Sequence, residues 1–270
     1  MADQYAVGES PEKIKEMVKE KYAEIVVKAG TMNQTSCCGD DSYSVFADDY
    51  SKLAGYNPDA DLGLGCGSPT EHARIKQGDT VLDLGSGAGN DAFVVRSILG
   101  ETGRVIGVDM TEAMIEKARM NNAKLGFKNV EFVLGEIESL PLAANSIDVV
   151  LSNCVLNLVP NKAKAFSEIY RVLKPGGHFS ISDVVTSSEL PEEIRTAAEM
   201  YAGCVAGAMV KQSYLDVVSL TGFKNTTVRK EKRIVVPDET LKKYLSEAEL
   251  VEFKNSGKGI YSITVYGEKA

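Results

Sequence analysis

Short apolar runs recur through the middle of the chain, each followed by a stretch long enough for a helix. Val81-Leu82-Asp83-Leu84 enters the turn Gly85-Ser86-Gly87-Ala88-Gly89, and Val105-Ile106-Gly107-Val108 ends on Asp109. Val130 to Ile137 reads as a third strand and Ser146 to Asn153 as the next. Strands of this kind alternating with helices predict an α/β fold with a doubly wound, largely parallel sheet. The alternation extends from about Thr70 to Val185. Within it, Tyr170-Arg171-Val172-Leu173-Lys174-Pro175-Gly176-Gly177 reads as a helix-to-strand turn stopped by its Pro-Gly-Gly. Upstream, Ser10-Pro11-Glu12 supplies a cap, an N1 proline and an early acid for a helix running to about Lys28, with Gly30 as its stop. Residues 31–44 and Tyr56 to Pro69 lack a period and read as loops. Downstream, Pro191 to Met209 and Gln212 to Ser219 read as helices. Arg229 to Val236 and Ile260 to Gly267 read as strands closing the sheet at an antiparallel edge, with Asp238 to Phe253 a helix inserted between them.

Charge and composition narrow the partners. A net charge of −8 over 270 residues argues against nucleic acid or an anionic membrane. No apolar run reaches transmembrane length, and the N-terminus lacks the basic start and apolar core of a signal peptide, so the protein is expected in the cytoplasm. In that reducing compartment its five cysteines are expected to be ligands or reactive thiols rather than permanent crosslinks.

The glycine turn and its flanking acids carry the first chemistry. Gly85, Gly87 and Gly89 alternate, and Asn90 stands where a dinucleotide fingerprint has its third glycine. Asp83 at the strand end would repel a pyrophosphate and attract an ammonium. S-adenosylmethionine carries an amino-acid zwitterion and no phosphate, and so suits both sides of the loop. The pattern resembles motif I of the class I S-adenosylmethionine-dependent methyltransferases, a Rossmann-like fold. That resemblance implies cofactor contacts at Asp83, Gly85, Ser86, Gly87 and Gly89, and at Asp109 and Met110. It further implies Glu136 and Ile137 beside the adenine and Asn153 beside the sulfonium. Glu136 reads equally well as a solvated acid, and Asn90 and Asp91 read as caps of the following helix.

The cysteines sharpen the resemblance. Leu64-Gly65-Cys66-Gly67, Ser152-Asn153-Cys154-Val155-Leu156-Asn157-Leu158-Val159-Pro160, and Leu190-Pro191-Glu192-Glu193-Ile194-Arg195-Thr196 with Gly203-Cys204 resemble the arsenite methyltransferases over roughly residues 30–225. The resemblance implies that Cys66, Cys154 and Cys204 bind trivalent arsenic and that Cys37 or Cys38 joins the thiol exchange. It implies three parts: residues 1–69 as a helical and loop cap bearing cysteines, 70–185 as the S-adenosylmethionine-binding Rossmann-like domain, and 186–270 as a small C-terminal α+β region that binds substrate and completes the sheet. The expected partners are arsenite or its thiol conjugates and a thiol reductant of glutathione or thioredoxin type. Thiolates are soft ligands suited to arsenic, and an attacking lone pair carries no proton, so two histidines in the whole chain are no handicap. Competing readings are a class I methyltransferase acting on carbon or oxygen of a quinone- or sterol-like molecule, and a thiol-based soft-metal binding protein.

Overall fold

A computed structural model describes residues 10–31, 49–190 and 207–270. Helix α1 (Pro11–Thr31) precedes the sheet. It is followed by β1 (Thr80–Leu84), α2 (Asn90–Leu99), β2 (Arg104–Asp109), α3 (Glu112–Leu125), β3 (Val130–Leu134), β4 (Ile147–Asn153), α4 (Lys162–Val172) and β5 (Leu173–Thr186). Then come β6 (Met209–Val210), α5 (Lys211–Leu220), β7 (Lys224–Ile234), α6 (Asp238–Leu241), α7 (Glu247–Asn255) and β8 (Ile260–Glu268). The sheet order is β3-β2-β1-β4-β5-β8-β7, with the short β6 beside β5. The first five strands are parallel, whereas β8 runs antiparallel to both β5 and β7. This is the doubly wound Rossmann-like sheet that the alternation of strands and helices predicts.

Successive strand residues point to opposite faces, so each central strand feeds two cores. On one face Leu82, Leu84, Ile106, Val108 and Val150 pack against Phe166 and Ile169 of α4 and Tyr214 and Val218 of α5. On the other, Val81, Val105, Val149 and Leu151 meet Phe93, Val95 and Leu99 of α2 and Ile115 of α3. Both faces are covered, which explains why the strands read as nearly continuous apolar runs.

Several boundaries differ from the sequence-based expectation. Helix α1 passes through Gly30 to Thr31, and Ser10 caps it, its hydroxyl accepting from the Lys13 N–H at 3.3 Å. β3 stops at Leu134 because Gly135 turns the chain against Pro141, whose ring a Cβ would meet at 2.9 Å; Glu136 and Ile137 therefore lie past the strand end. Pro175-Gly176-Gly177 does not precede the fifth strand but bulges within it, since pairing passes from Ile147–Leu173 directly to Val149–His178. Met209 is in β6 and not at a helix end, and β7 begins at Lys224, earlier than the expected Arg229. The single helix expected over Asp238 to Phe253 is two, because Ser246 and Glu249 form a capping box that restarts the helix as α7. The expected helix over residues 191–206 lies outside the described residues.

One buried acid gives the fold a pH dependence. Asp183 of β5 has no exposed surface; it accepts from the Tyr214 hydroxyl at 3.3 Å and from the Val184 N–H at 3.2 Å. Burial pushes its carboxyl up to about 7, with nearby Lys162 acting in the opposite direction. The native state therefore holds this proton more tightly than the unfolded chain. The associated stability is complete below the ordinary carboxylate range and drains away as the pH rises through 7. Urea denaturation between pH 5 and 8 should show wild-type stability falling, by up to about 1.4 kcal/mol per pH unit from this group. Asp183→Asn should flatten part of that slope, and an unchanged slope would place the titration elsewhere.

Candidate functional site

A cleft of about 1170 Å³, including solvent at its mouth, opens where the C-terminal ends of β1, β2 and β4 meet α1 and the loop from Tyr50 to Gly65. The carboxyl end of a parallel sheet is where this architecture places ligands. The glycine turn forms the cleft floor. Gly85 and Gly89 have φ of +65° and +100°, in the left-handed region. A Cβ at Gly85 would run into Val155, and one at Gly89 would lie 2.8 Å from the Phe132 ring. The turn is tied down by Val108, whose carbonyl accepts from the N–H groups of Gly85 and Ser86. Asp109 finishes the job, accepting from the Gly87 N–H at 3.0 Å and the Thr111 N–H at 2.8 Å.

Three polar atoms beside this turn are buried with no hydrogen-bond partner among the described residues: Asp83 Oδ2, Ser86 Oγ and Asn90 Oδ1. Buried polar groups are normally paired, so three orphans lining one cleft mark a place built for a polar ligand. Its electrostatics favour a cation. Burial pushes the Asp83 carboxyl well above the usual range, and the neighbouring Asp91 and Asp109 charges add to the effect. Asp91 is pushed up to about 6 by burial, against hydrogen bonds from Asn153 and Tyr50, and burial likewise raises Asp109. Three carboxylates held at such cost would reject a phosphate and gain from an ammonium. The donors and acceptors present thus fit the amino-acid end of S-adenosylmethionine.

The opposite end is closed by α1. Lys15, Val18 and Tyr22 line the cleft from one helix face, and Met110, Met114 and Ile137 add apolar wall. Lys15 pairs with both Glu136, at 2.8 Å, and Glu138, while Lys19 reaches Glu136 at 3.5 Å. The Lys15 hydrogen bond holds the Glu136 carboxyl below the usual range. Glu136 is accordingly neither free nor simply solvated; it anchors the helix over the cleft.

The two described cysteines are buried beside the cleft, with Cys154 in its lining and Cys66 behind it. Cys66 and Cys154 are joined by a disulfide with a Cα–Cα separation of 5.5 Å, a spacing such bonds require. This corrects the expectation of open thiols. Its cause is local: β4 ends in Asn153, Cys154 turns the chain with a φ of +61°, and the loop carrying Cys66 is fastened directly opposite. Asn153 Oδ1 accepts from the N–H groups of Cys66 at 3.1 Å and Gly67 at 3.2 Å, and the Ser262 hydroxyl donates to the Cys66 carbonyl at 2.6 Å. Cys37, Cys38 and Cys204 lie outside the described residues.

Of the residues expected at the site, Asp83, Gly85, Ser86, Gly87, Asp109, Met110, Glu136, Ile137, Asn153 and Cys154 line one cleft, whereas Gly89 and Cys66 lie just behind its lining. Sequence reasoning misassigned Asp91. The cap of α2 is Gly89, and the Asp91 carboxylate instead receives Asn153 Nδ2 at 3.0 Å and lies 2.8 Å from the Tyr50 hydroxyl. It missed Tyr50, which sits in a stretch without periodicity and so gives no signal. It also missed Lys15, although the 15, 18, 22 spacing marks a single helical face.

The chain matches the family model described as a methyltransferase domain over residues 75–236. It is similar to an arsenite methyltransferase from Halobacterium salinarum, 44% identical over 79% of this chain and 58% of that protein. A second arsenite methyltransferase, from Aquipseudomonas alcaligenes, is 34% identical over 86% of this chain and 68% of the relative. Among solved structures, an arsenic(III) S-adenosylmethionine methyltransferase from Chlamydomonas reinhardtii is 37% identical, with a TM-score of 0.63 over 75% of this chain and 66% of that one. The chain therefore spans less than two thirds of the length of the archaeal relative. No helix among the described residues is long and apolar enough to cross a membrane.

Proposed function

From a chain that belongs to the arsenite methyltransferases, within the methyltransferase-domain family, we propose a methyl transfer from S-adenosylmethionine to trivalent arsenic held on cysteine sulfur. The observation that carries this reading is the pairing of Cys66 with Cys154, which itself lines the glycine-turn cleft. Two sulfurs meeting beside a cofactor cleft are what a soft, thiophilic substrate needs. When bound, S-adenosylmethionine supplies an electrophilic methyl, which the arsenic lone pair displaces from sulfur. Asp83, Ser86 and Asn90 would hold its amino-acid end, Asp109 its ribose, and Ile137 with Met110 would flank the base.

The protein's own work is alignment and exclusion of water. Lys15, bonded to Glu136 and Glu138, keeps α1 across the cleft, and the turn presents backbone without a side chain at Gly85 and Gly87. No residue is needed to take a proton, because the attacking pair carries none. Cys204 is proposed as the third arsenic ligand and Cys37 or Cys38 as the exchanging thiol. A bridged Cys66–Cys154 pair cannot bind arsenic through both sulfurs, so two external thiols must first reduce it, becoming a disulfide as the two cysteines regain their protons. This supports a small-thiol or dithiol reductant as partner, and the net charge of −8 supports a protein that avoids nucleic acid and anionic membranes.

The test is a single assay of purified protein with labelled S-adenosylmethionine, arsenite and a thiol reductant, with methylated arsenic separated and counted. Labelled product that depends on both arsenite and reductant supports the reading. Cofactor binding without product would sink it in favour of a small organic acceptor.

A further inference from the structure

We propose that Asn153 is the positioning residue of the sulfur pair, fixing where Cys66 stands relative to Cys154 through the main chain of Cys66 and Gly67. This deepens the arsenic reading and rests on it for its purpose, though not for its test. The Cys66 loop has no regular secondary structure, so its place depends on what holds it. Asn153 Oδ1 takes both of its N–H groups, and Asn153 Nδ2 lies 2.9 Å from the Gly67 carbonyl. The loop lies flush against this amide: a Cβ at Gly65 would sit 2.6 Å from Nδ2.

Two features make this more than a convenient contact. Asn153 immediately precedes Cys154, so one residue's backbone aims one sulfur while its side chain holds the other. The amide also has a defined direction. Nδ2 faces Asp91 Oδ2 at 3.0 Å and the Tyr50 hydroxyl at 2.8 Å, which leaves Oδ1 to face the loop. Tyr50 in turn lies 2.8 Å from both Asp91 Oδ1 and the Gly67 carbonyl. The knot therefore joins a carboxylate of the cofactor cleft to the loop that presents Cys66.

The prediction concerns how strongly the two thiols find each other, which needs neither arsenic nor cofactor. In glutathione redox buffers, the equilibrium constant for Cys66–Cys154 pairing should fall at least tenfold in Asn153→Ala, because the loop's effective concentration at Cys154 drops. Circular dichroism verifies that the variant is folded. Asn153→Asp provides a second, independent readout. It keeps an acceptor for the loop but sets a carboxyl 3.0 Å from Asp91 in place of the amide donor, so its pairing should fall below wild type at neutral pH and recover as acid lets the two carboxyls share a proton. Equal pairing in wild type and a folded Asn153→Ala would overturn the proposal. If Asn153→Ala does not fold, a pH-independent Asn153→Asp would overturn it equally. A protein that bound arsenite but never methylated it would still answer this measurement.

Discussion

Replacing Cys154 with serine should reduce methylated arsenic to less than about one hundredth of the wild-type yield, while S-adenosylmethionine still binds within about threefold. Serine is nearly isosteric, but its hydroxyl is a hard, protonated donor with little affinity for arsenic. The left-handed backbone of Cys154 and its N–H bond to the Ser182 carbonyl fix the direction of its side chain, so the serine hydroxyl stands where the sulfur stood. The loss should therefore appear in turnover and in arsenite binding, not in cofactor affinity. Titration calorimetry with S-adenosylmethionine separates the two. A buried cysteine that merely packed would give a different result: turnover retained, with a modest loss of stability. Product from the serine variant at half the wild-type rate would end the proposed role of this thiol.

The second large effect concerns Asp83. Its buried, unpartnered oxygen and raised carboxyl leave it holding a proton in the free protein at low pH. An ammonium binds only the ionised form, so cofactor binding must release protons, and affinity must rise with pH. The Asp91 carboxyl, pushed up to about 6, titrates in the same cleft and steepens the rise between pH 5 and 7. Calorimetry in buffers of different ionisation enthalpy should detect that release directly. Asp83→Asn should weaken S-adenosylmethionine by about 100-fold near pH 8, the scale of one charge-assisted hydrogen bond lost from a buried site. It should also flatten the pH dependence. An affinity that is independent of pH in the wild type would show that Asp83 is already ionised without ligand.

Most of the sheet was legible from local pattern, because its strands are buried on both faces and bounded by glycine and acid. The glycine turn was legible for the same reason: Gly85 and Gly89 have backbone angles that other residues rarely adopt. What escaped was set by contacts between distant segments. Nothing near Leu134 reveals that Gly135 will pack against Pro141, and nothing in the aperiodic loop around Tyr50 reveals its hydroxyl beside Asp91. Asp91 itself misled, since an acid at a helix start is ordinarily a cap. Cys66 and Cys154 were legible as partners in chemistry, through the family's motifs, but not as a bonded pair 88 residues apart. Ser246 and Glu249 are a different case, for their capping-box spacing is visible in the sequence and marks the start of α7.

Strand β8 has a consequence for biosynthesis. It lies inside the sheet, between β5 and β7, yet its residues 260–268 leave the ribosome after every other strand. Until they arrive, the apolar edge of β5 from His178 to Thr186 is without its antiparallel neighbour, and β7 has no route into the sheet. A chain that ends between Thr186 and Ile260 therefore leaves that long strand edge without its partner. Truncation within that interval should yield a protein that aggregates more readily than the full chain, which light scattering of the two would compare.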